Sequence, residues 1–322
     1  MLIPCGDAVL SAISQLPDSL ASRFPSSTPS REAVGQLARK DNFAILLDAL
    51  DVPHPTTLIV HDLQDLERFA DLPFTHLFLK PVDSASFMRS YGVKACRVRD
   101  LQDARAQLTK VLADGHRVVV QEYIAGPASN HYLVDGFIDA AGVVRALFAR
   151  RRLRMYPPDF GDSTHMVSVP LSEVSAAIES LRTILAAVGY RGIFSAEFKR
   201  DERDGLFKIL EVNARVWIYV EFAGRCGVDV CTMSYQDALG LPVTEPANYR
   251  TGVRLISPYL DLAAVRYAWR KGQISASTWL RSWAGAQQPT FSLTDPLPAI
   301  VDWWSVSGKV LRRALRGGTD DP

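Results

Sequence analysis

The stretch that most restricts what this chain can become runs from Phe194 to Arg215. Phe194-Ser195-Ala196-Glu197-Phe198-Lys199-Arg200 and Phe207-Lys208-Ile209-Leu210-Glu211-Val212-Asn213-Ala214-Arg215 alternate apolar and polar residues about the turn Asp201-Glu202-Arg203-Asp204-Gly205. Period-two alternation interrupted by an Asp/Gly loop predicts an antiparallel hairpin. Ser195, Glu197 and Lys199 then share one face of its first strand, and Ile209, Glu211 and Asn213 one face of its second. A hairpin symmetric about Asp204 sets Glu197 directly across from Glu211. Facing like charges destabilise paired strands unless something neutralises them. Magnesium would do so, since it takes oxygen ligands, few of them from protein, and shares its shell with substrate phosphates. Glu197, Glu211 and the Asn213 amide oxygen, with Arg215 just beyond, form a candidate set for a metal-bound nucleotide, with manganese as the alternative ion; exposed glutamates on a solvated hairpin are the bland alternative.

The rest of the composition narrows the class. A chain of 322 residues, 48% apolar and 22% charged, has material for two or three compact units and is not of the disordered type. Its 36 basic and 35 acidic residues leave a net charge of +1, which gives no global pull toward nucleic acid. Cys5, Cys96, Cys226 and Cys231 are scattered without a CxxC pair, which argues against zinc and for a reduced, cytoplasmic protein. No run approaches the ~20 apolar residues of a spanning helix. Residues 300–315 place Trp303, Trp304, Val310 and Leu311 at helical spacing among basic residues; packing on the protein's own core is the first expectation, peripheral membrane contact the second.

Along the chain, residues 1–30 hold a short apolar run from Leu2 to Pro4 with no evident strand partner, a helix-like segment and a Pro/Ser-rich stretch. Ser30 caps one or two helices that end at Val52-Pro53-His54-Pro55, since the residue before proline avoids the helical region. A small α/β unit follows: strand 56–60, helix 63–69, strand 76–79 ending at Lys80-Pro81, a loop Asp83-Ser84-Ala85-Ser86, strand 93–98, helix 101–112 and strand 117–122. Small residues after Lys80 let backbone amides approach phosphates, although no Walker motif is present. A second hairpin spans 132–150 around Asp139-Ala140-Ala141-Gly142. Arg150-Arg151-Arg152-Leu153-Arg154 then reads either as a solvated basic turn or as a phosphate clamp, with a covering loop through Gly161. A helix over 172–188 leads to the opening hairpin, a mixed region runs to Leu239, and short helices with a strand at 252–256 fill the C-terminal part.

Taken in order, these motifs resemble the ATP-grasp superfamily over roughly residues 30–245, and more narrowly its carboxylate–amine ligase branch, which includes D-aspartate ligases. The resemblance implies an α+β (α/β) fold of two subdomains clasping ATP: residues 1–30 as a remnant of an N-terminal domain, 31–122 as linker helices and lid subdomain, 123–245 as catalytic subdomain, and 246–322 as an extension. It implies Lys40 and Lys80 as nucleotide lysines, and Ser84 and Ser86 in a lid loop. It further implies Gln121, Glu122, Tyr123 and Ile124 as the adenine hinge, and Asn130 or His131 near the ribose, where the expected acidic residue is missing. Glu197, Glu211 and Asn213 would be metal ligands, and Arg152, Arg154 and Arg215 would act on the reacting groups. The implied activity is ATP-dependent ligation of a small carboxylate to an amine, such as an amino acid, peptide or cell-envelope precursor, through an acyl phosphate. A phosphotransferase on the same fold and a non-catalytic nucleotide-binding protein remain alternatives. A homo-oligomer is left open.

Overall fold

The structure, a computed structural model, describes residues 1–25, 27–69, 76–82, 84–93, 95–158, 161–292, 294–301 and 304. Helices α1 (Asp7–Ser14) and α2 (Asp18–Ala21) open the chain, followed by α3 (Arg31–Ala38) and α4 (Lys40–Ala49). Ser30 caps α3 as expected, its hydroxyl accepting the Ala33 amide at 3.1 Å. The apolar run before α1 does have partners: the Leu2 amide donates to Pro25 O, and Pro4 O accepts the Val216 amide just past the predicted hairpin. One of these backbone bonds ties it to that hairpin's exit, a link that the local sequence cannot announce.

Strands β1 (Thr57–Val60), β2 (Leu77–Pro81), β3 (Cys96–Arg97) and β4 (Val118–Glu122) form an antiparallel sheet in the order β1-β4-β2-β3, backed by α5 (Ser84–Tyr91) and α6 (Leu101–Ala113). Three expectations change here. The segment 63–69 is a 3-10 helix, and among the described residues of the predicted strand 93–98 the strand is Cys96–Arg97, with the Val98 amide donating to Leu77 O. The predicted loop is helical from Ser84 on, because Phe87 and Tyr91, four residues apart, stack at 4.5 Å and bury Phe87 completely. Asp83 and the side chains of Ser84 and Ser86 lie outside the described residues.

The larger sheet has six strands in the order β10-β7-β6-β5-β8-β9: β5 (His131–Ile138), β6 (Val144–Tyr156), β7 (Asp162–Val169), β8 (Gly192–Arg200), β9 (Phe207–Asn213) and β10 (Arg254–Ile256). At Gly136 of β5 there is no room for a side chain: a Cβ would meet Ala146 O of β6 at 2.4 Å and Phe194 Cζ of β8 at 2.6 Å. Arg150–Arg154 is not a turn but the end of β6, which continues to Tyr156 and returns as β7, a strand hidden by its polar Asp-Ser-Thr-His start. Phe194, Ala196 and Phe198 pack into a core on one face with α7 (Ser175–Ala187). Val34, Leu37, Phe43 and Leu47 of α3 and α4 join that same core rather than the core of the smaller sheet. The opposite face packs Phe137, Phe148 and Ile193 against α8 (Val220–Cys226) and α9 (Val230–Ala238). Two further helices, α10 (Pro258–Arg270) and α11 (Ala276–Trp283), follow; α10 packs against β6 and β7 and runs thirteen residues where the sequence predicts short helices. Of the predicted terminal helix 300–315, only Ile300, Val301 and Trp304 are among the described residues.

Candidate functional site

The hairpin forms with Glu197 paired directly to Glu211. Its alternation holds with one correction. Phe198 pairs with Ile209 while Glu197 pairs with Glu211, so Leu210 is an extra residue, a β-bulge. The bulge lets Ile209 and Val212 both enter the core and leaves Glu211 and Asn213 on the other side, so Ile209 does not share their face. Core packing of a large aliphatic side chain outweighs strict period-two pairing at that point.

On β8, Glu197 is held from two sides. His131 Nδ1 donates to Glu197 Oε1 at 2.7 Å, and the Arg152 guanidinium reaches the same oxygen at 3.1 Å. Burial opposes ionisation of Glu197, but the Arg152 charge, the His131 bond and the Lys80 charge outweigh it and hold the carboxyl far below the usual range. His131 is pushed down to about 4 by burial, only partly countered by Glu197, so near neutral pH it is an uncharged donor. Arg152 is itself fixed by Ser163, whose hydroxyl accepts its Nε at 2.8 Å. Glu197 Oε2 has no hydrogen-bond partner among the described residues, which leaves a lone ionised oxygen beside Glu211.

Lys80 comes to this face from the other sheet. Its ammonium donates to Gln121 Oε1 at 2.9 Å, and Gln121 in turn bonds Thr57. Burial lowers Lys80 to about 8, with the Lys40 charge adding to that and the Glu211 and Glu197 charges opposing it. Lys40, Glu211 and Glu197 therefore each lie within electrostatic reach of Lys80. Lys40 is placed by its helix, which Asp41 ties to the smaller sheet through Arg117 at 3.0 Å.

The predicted hinge sits where the two sheets meet. The Tyr123 amide donates to His76 O, and Lys199 Nζ lies 4.8 Å over the Tyr123 ring. Glu122 pairs with Arg203 of the hairpin turn at 2.6 Å, and Ile124 is buried. Asn130 donates to Glu202 Oε1 at 2.9 Å. Glu202 is thus an acidic group beside the expected ribose position, delivered by the hairpin turn. Lys199, Glu202 and Ser163 are the neighbours that sequence order alone did not bring together.

Arg215 is engaged at every nitrogen: with Asp7 through Nε and NH2, with Asn213 Oδ1 at 3.1 Å, and with Val216 O at 3.1 Å. Asn213 Nδ2 donates to Glu211 Oε1 at 3.0 Å, so Glu211, Asn213 and Arg215 form one chain of contacts. Arg154 leaves the group. It forms a bidentate pair with fully buried Asp261 of α10 at 2.7 and 2.8 Å and donates to Ser282, because the register shifts on either side of it turn the β6 end toward the C-terminal helices.

Among the described residues no three His, Cys, Asp or Glu side chains cluster as a metal cage. Two facing carboxylates and an amide oxygen still suit an ion that draws the rest of its shell from phosphates. Glu211 carries no ion pair and Glu197 keeps one oxygen free among the described residues, so the donor set fits magnesium.

Two α+β sheets that bring two lysines, a hinge and this hairpin together make the ATP-grasp fold. Solved structures share it: the biotin carboxylase domain of 2-oxoglutarate carboxylase from Hydrogenobacter thermophilus, in complex with MgADP, ADP and bicarbonate, has a TM-score of 0.56 at 16% identity, covering 70% of this chain and 51% of that one. An L-amino acid ligase from Bacillus licheniformis has a TM-score of 0.50 at 19% identity, with 65% and 49% covered. In sequence the chain is similar to the D-aspartate ligase of Enterococcus faecium (strain Aus0004), at 26% identity over 223 residues, or 67% of this chain and 53% of the relative. The chain therefore spans about half the length of that curated relative. No family model matches the sequence.

Proposed function

We propose that the protein is an ATP-dependent carboxylate–amine ligase. The observation that carries this reading is the meeting of Lys80 with Glu197 and Glu211, cation from one sheet and carboxylates from the other, with Arg215 at the far end. A polyphosphate needs just such charges around it, and phosphoryl transfer depends on positioning and neutralisation more than on covalent help. Glu197, Glu211 and Asn213 would hold magnesium, which supplies charge neutralisation at the phosphate oxygens. Lys40 and Lys80 bear on those oxygens, and Arg152, while fixing Glu197, adds a buried positive charge beside them. Gln121, Glu122, Tyr123 and Ile124 would receive the adenine, and Asn130 with Glu202 the ribose.

In the reaction, a substrate carboxylate oxygen attacks the γ-phosphorus, the bond to the β,γ-bridging oxygen breaks, and ADP leaves an acyl phosphate. The amine then attacks the acyl carbon; phosphate departs, the amine loses a proton, and an amide remains. Arg215 holds the carboxylate and the charge of the acyl phosphate. Similarity to a D-aspartate ligase and the shared fold with an L-amino acid ligase support amino acids as the first substrates to try. The test is ADP release from MgATP with a panel of amino acids and peptides that includes D-aspartate, with products read by mass spectrometry. Acid- and amine-dependent ADP release with an amide product, lost in Glu211→Gln, is expected. ATP binding without ADP release for any pair would refute the ligase assignment. ADP release with a phosphorylated acid as the end product, and no amide whatever amine is added, would identify a phosphotransferase.

A further inference from the structure

The ligase reading leaves Asp7 unused, although it makes the most direct contact with Arg215. Its two carboxylate oxygens sit on Nε and NH2 of Arg215 at 2.5 and 3.1 Å, across 208 residues of sequence. This fork-to-fork pairing is the geometry by which arginine takes any carboxylate, a substrate's included. We propose that Asp7 is a built-in occupant of the carboxylate subsite: in the free protein it fills the Arg215 fork, and the acid substrate takes that place by displacing it. The identity of the displacing ligand rests on the ligase reading, while the occupancy does not.

Three features make the contact exchangeable rather than merely structural. First, the Asp7 side chain is 73% exposed against 20% for Arg215, so a released carboxylate turns into water instead of being stranded in the interior. Second, Asp7 is the first residue of α1, where the helix N-terminus favours a carboxylate whether or not Arg215 is nearby. Third, Arg215 does not depend on Asp7 for its aim. NH1 stays on Val216 O and NH2 on Asn213 Oδ1, which keep the fork pointing the same way once it is vacated. Asp7 itself is brought into range by the Pro4–Val216 backbone bond, which places the first turn of α1 beside the end of the hairpin. The segment before α3 thus reaches the subsite as a competitor for its ligand, which makes Asp7 a determinant of which acids bind and at what concentration.

The experiment labels arginine with phenylglyoxal and reads Arg215 by peptide mass spectrometry, in the full chain, with acetate as the probe carboxylate. Asp7→Asn should label Arg215 several-fold faster than the wild type, and acetate should protect the variant at a concentration about three- to fivefold lower, the scale of losing one exposed ion pair. Asp7→Glu, which keeps a carboxylate, should behave like the wild type and controls for disturbance of α1. Equal labelling rates, or protection of Asp7→Asn only at the same or higher acetate concentration, would overturn the proposal; so would a gain that Asp7→Glu shares. Turnover is the second arm: the KM for the acid falls in Asp7→Asn, whereas a residue that merely positioned Arg215 would raise it. Absence of any ADP release from the wild type would sink the ligase reading and leave the labelling result to decide the occupancy.

Discussion

Burial pushes the Lys80 ammonium down to about 8, with nearby Lys40 adding to the shift and Glu211 and Glu197 opposing it. A polyphosphate brings negative charge to the same place and must push that value back up. The sign follows. At pH 8 to 9 the free protein is partly deprotonated at Lys80, the complex is not, and binding takes up a proton; affinity falls as pH rises through 8. Calorimetry of MgATP binding at pH 8.5 in two buffers of different ionisation enthalpy should show the uptake, and Lys80→Met should abolish it. Two arginines only two residues apart make the opposite contrast. Arg152 reaches Glu197, so Arg152→Met should cut ADP release by ~100-fold or more, the scale of one lost charge-stabilising group. Arg154 is committed to buried Asp261, so Arg154→Met should instead cost about 3–5 kcal/mol of stability in a urea titration by leaving that charge uncompensated.

At the scale of elements, the hairpin shows what alternation can and cannot reveal. Pairing of Glu197 with Glu211 follows from the turn at Asp204, and the side chains on β8 follow from period two, because a regular strand obeys both. The bulge at Leu210 does not follow, since nothing local says that Ile209 will win a place in the core under α3 and α7. Ile209 is 1% exposed, so Ile209→Ala should destabilise the protein by about 2–5 kcal/mol while leaving MgATP affinity in place. Glu211→Gln should do the reverse, and a nucleotide titration beside a melting curve separates the two. The arginine run misled in the same way: five residues with four positive charges look like a surface turn until their partners are known. Asp135 takes Arg150, Ser129 and Glu173 take Arg151, Glu197 takes Arg152 and Asp261 takes Arg154, and these acceptors lie from 15 to 107 residues away. The placement of Lys80 at a strand end and of Glu211 and Asn213 on one hairpin strand was legible from local pattern and spacing; the long-range ion pairs around them, Asp7 with Arg215 above all, were not.

Across the whole molecule, the site draws on two sheets with separate cores. One surrounds Leu79, Phe87 and Leu108; the other packs both faces of the six-stranded sheet. Direct links between them include Glu122 with Arg203 and the Lys199–Tyr123 contact, both at the hinge. Away from the hinge, Lys80 faces Glu197 and Glu211 by charge rather than by a direct ion pair. A nucleotide with its metal would fill that gap, touching lysines on one side and carboxylates on the other, and so would couple units whose cores are otherwise independent. Binding to the folded form alone stabilises it by about 2.7 kcal/mol at a hundredfold excess over Kd. The melting temperature should therefore rise with MgATP, and the rise should shrink sharply when EDTA removes the metal, because ATP alone sets phosphate oxygens against two carboxylates. Lys80→Met and Glu211→Gln should each reduce the rise from opposite sides of the site. If either variant keeps the full MgATP shift, the nucleotide is not bridging the two sheets at these residues, and the placement of its phosphates between them is wrong.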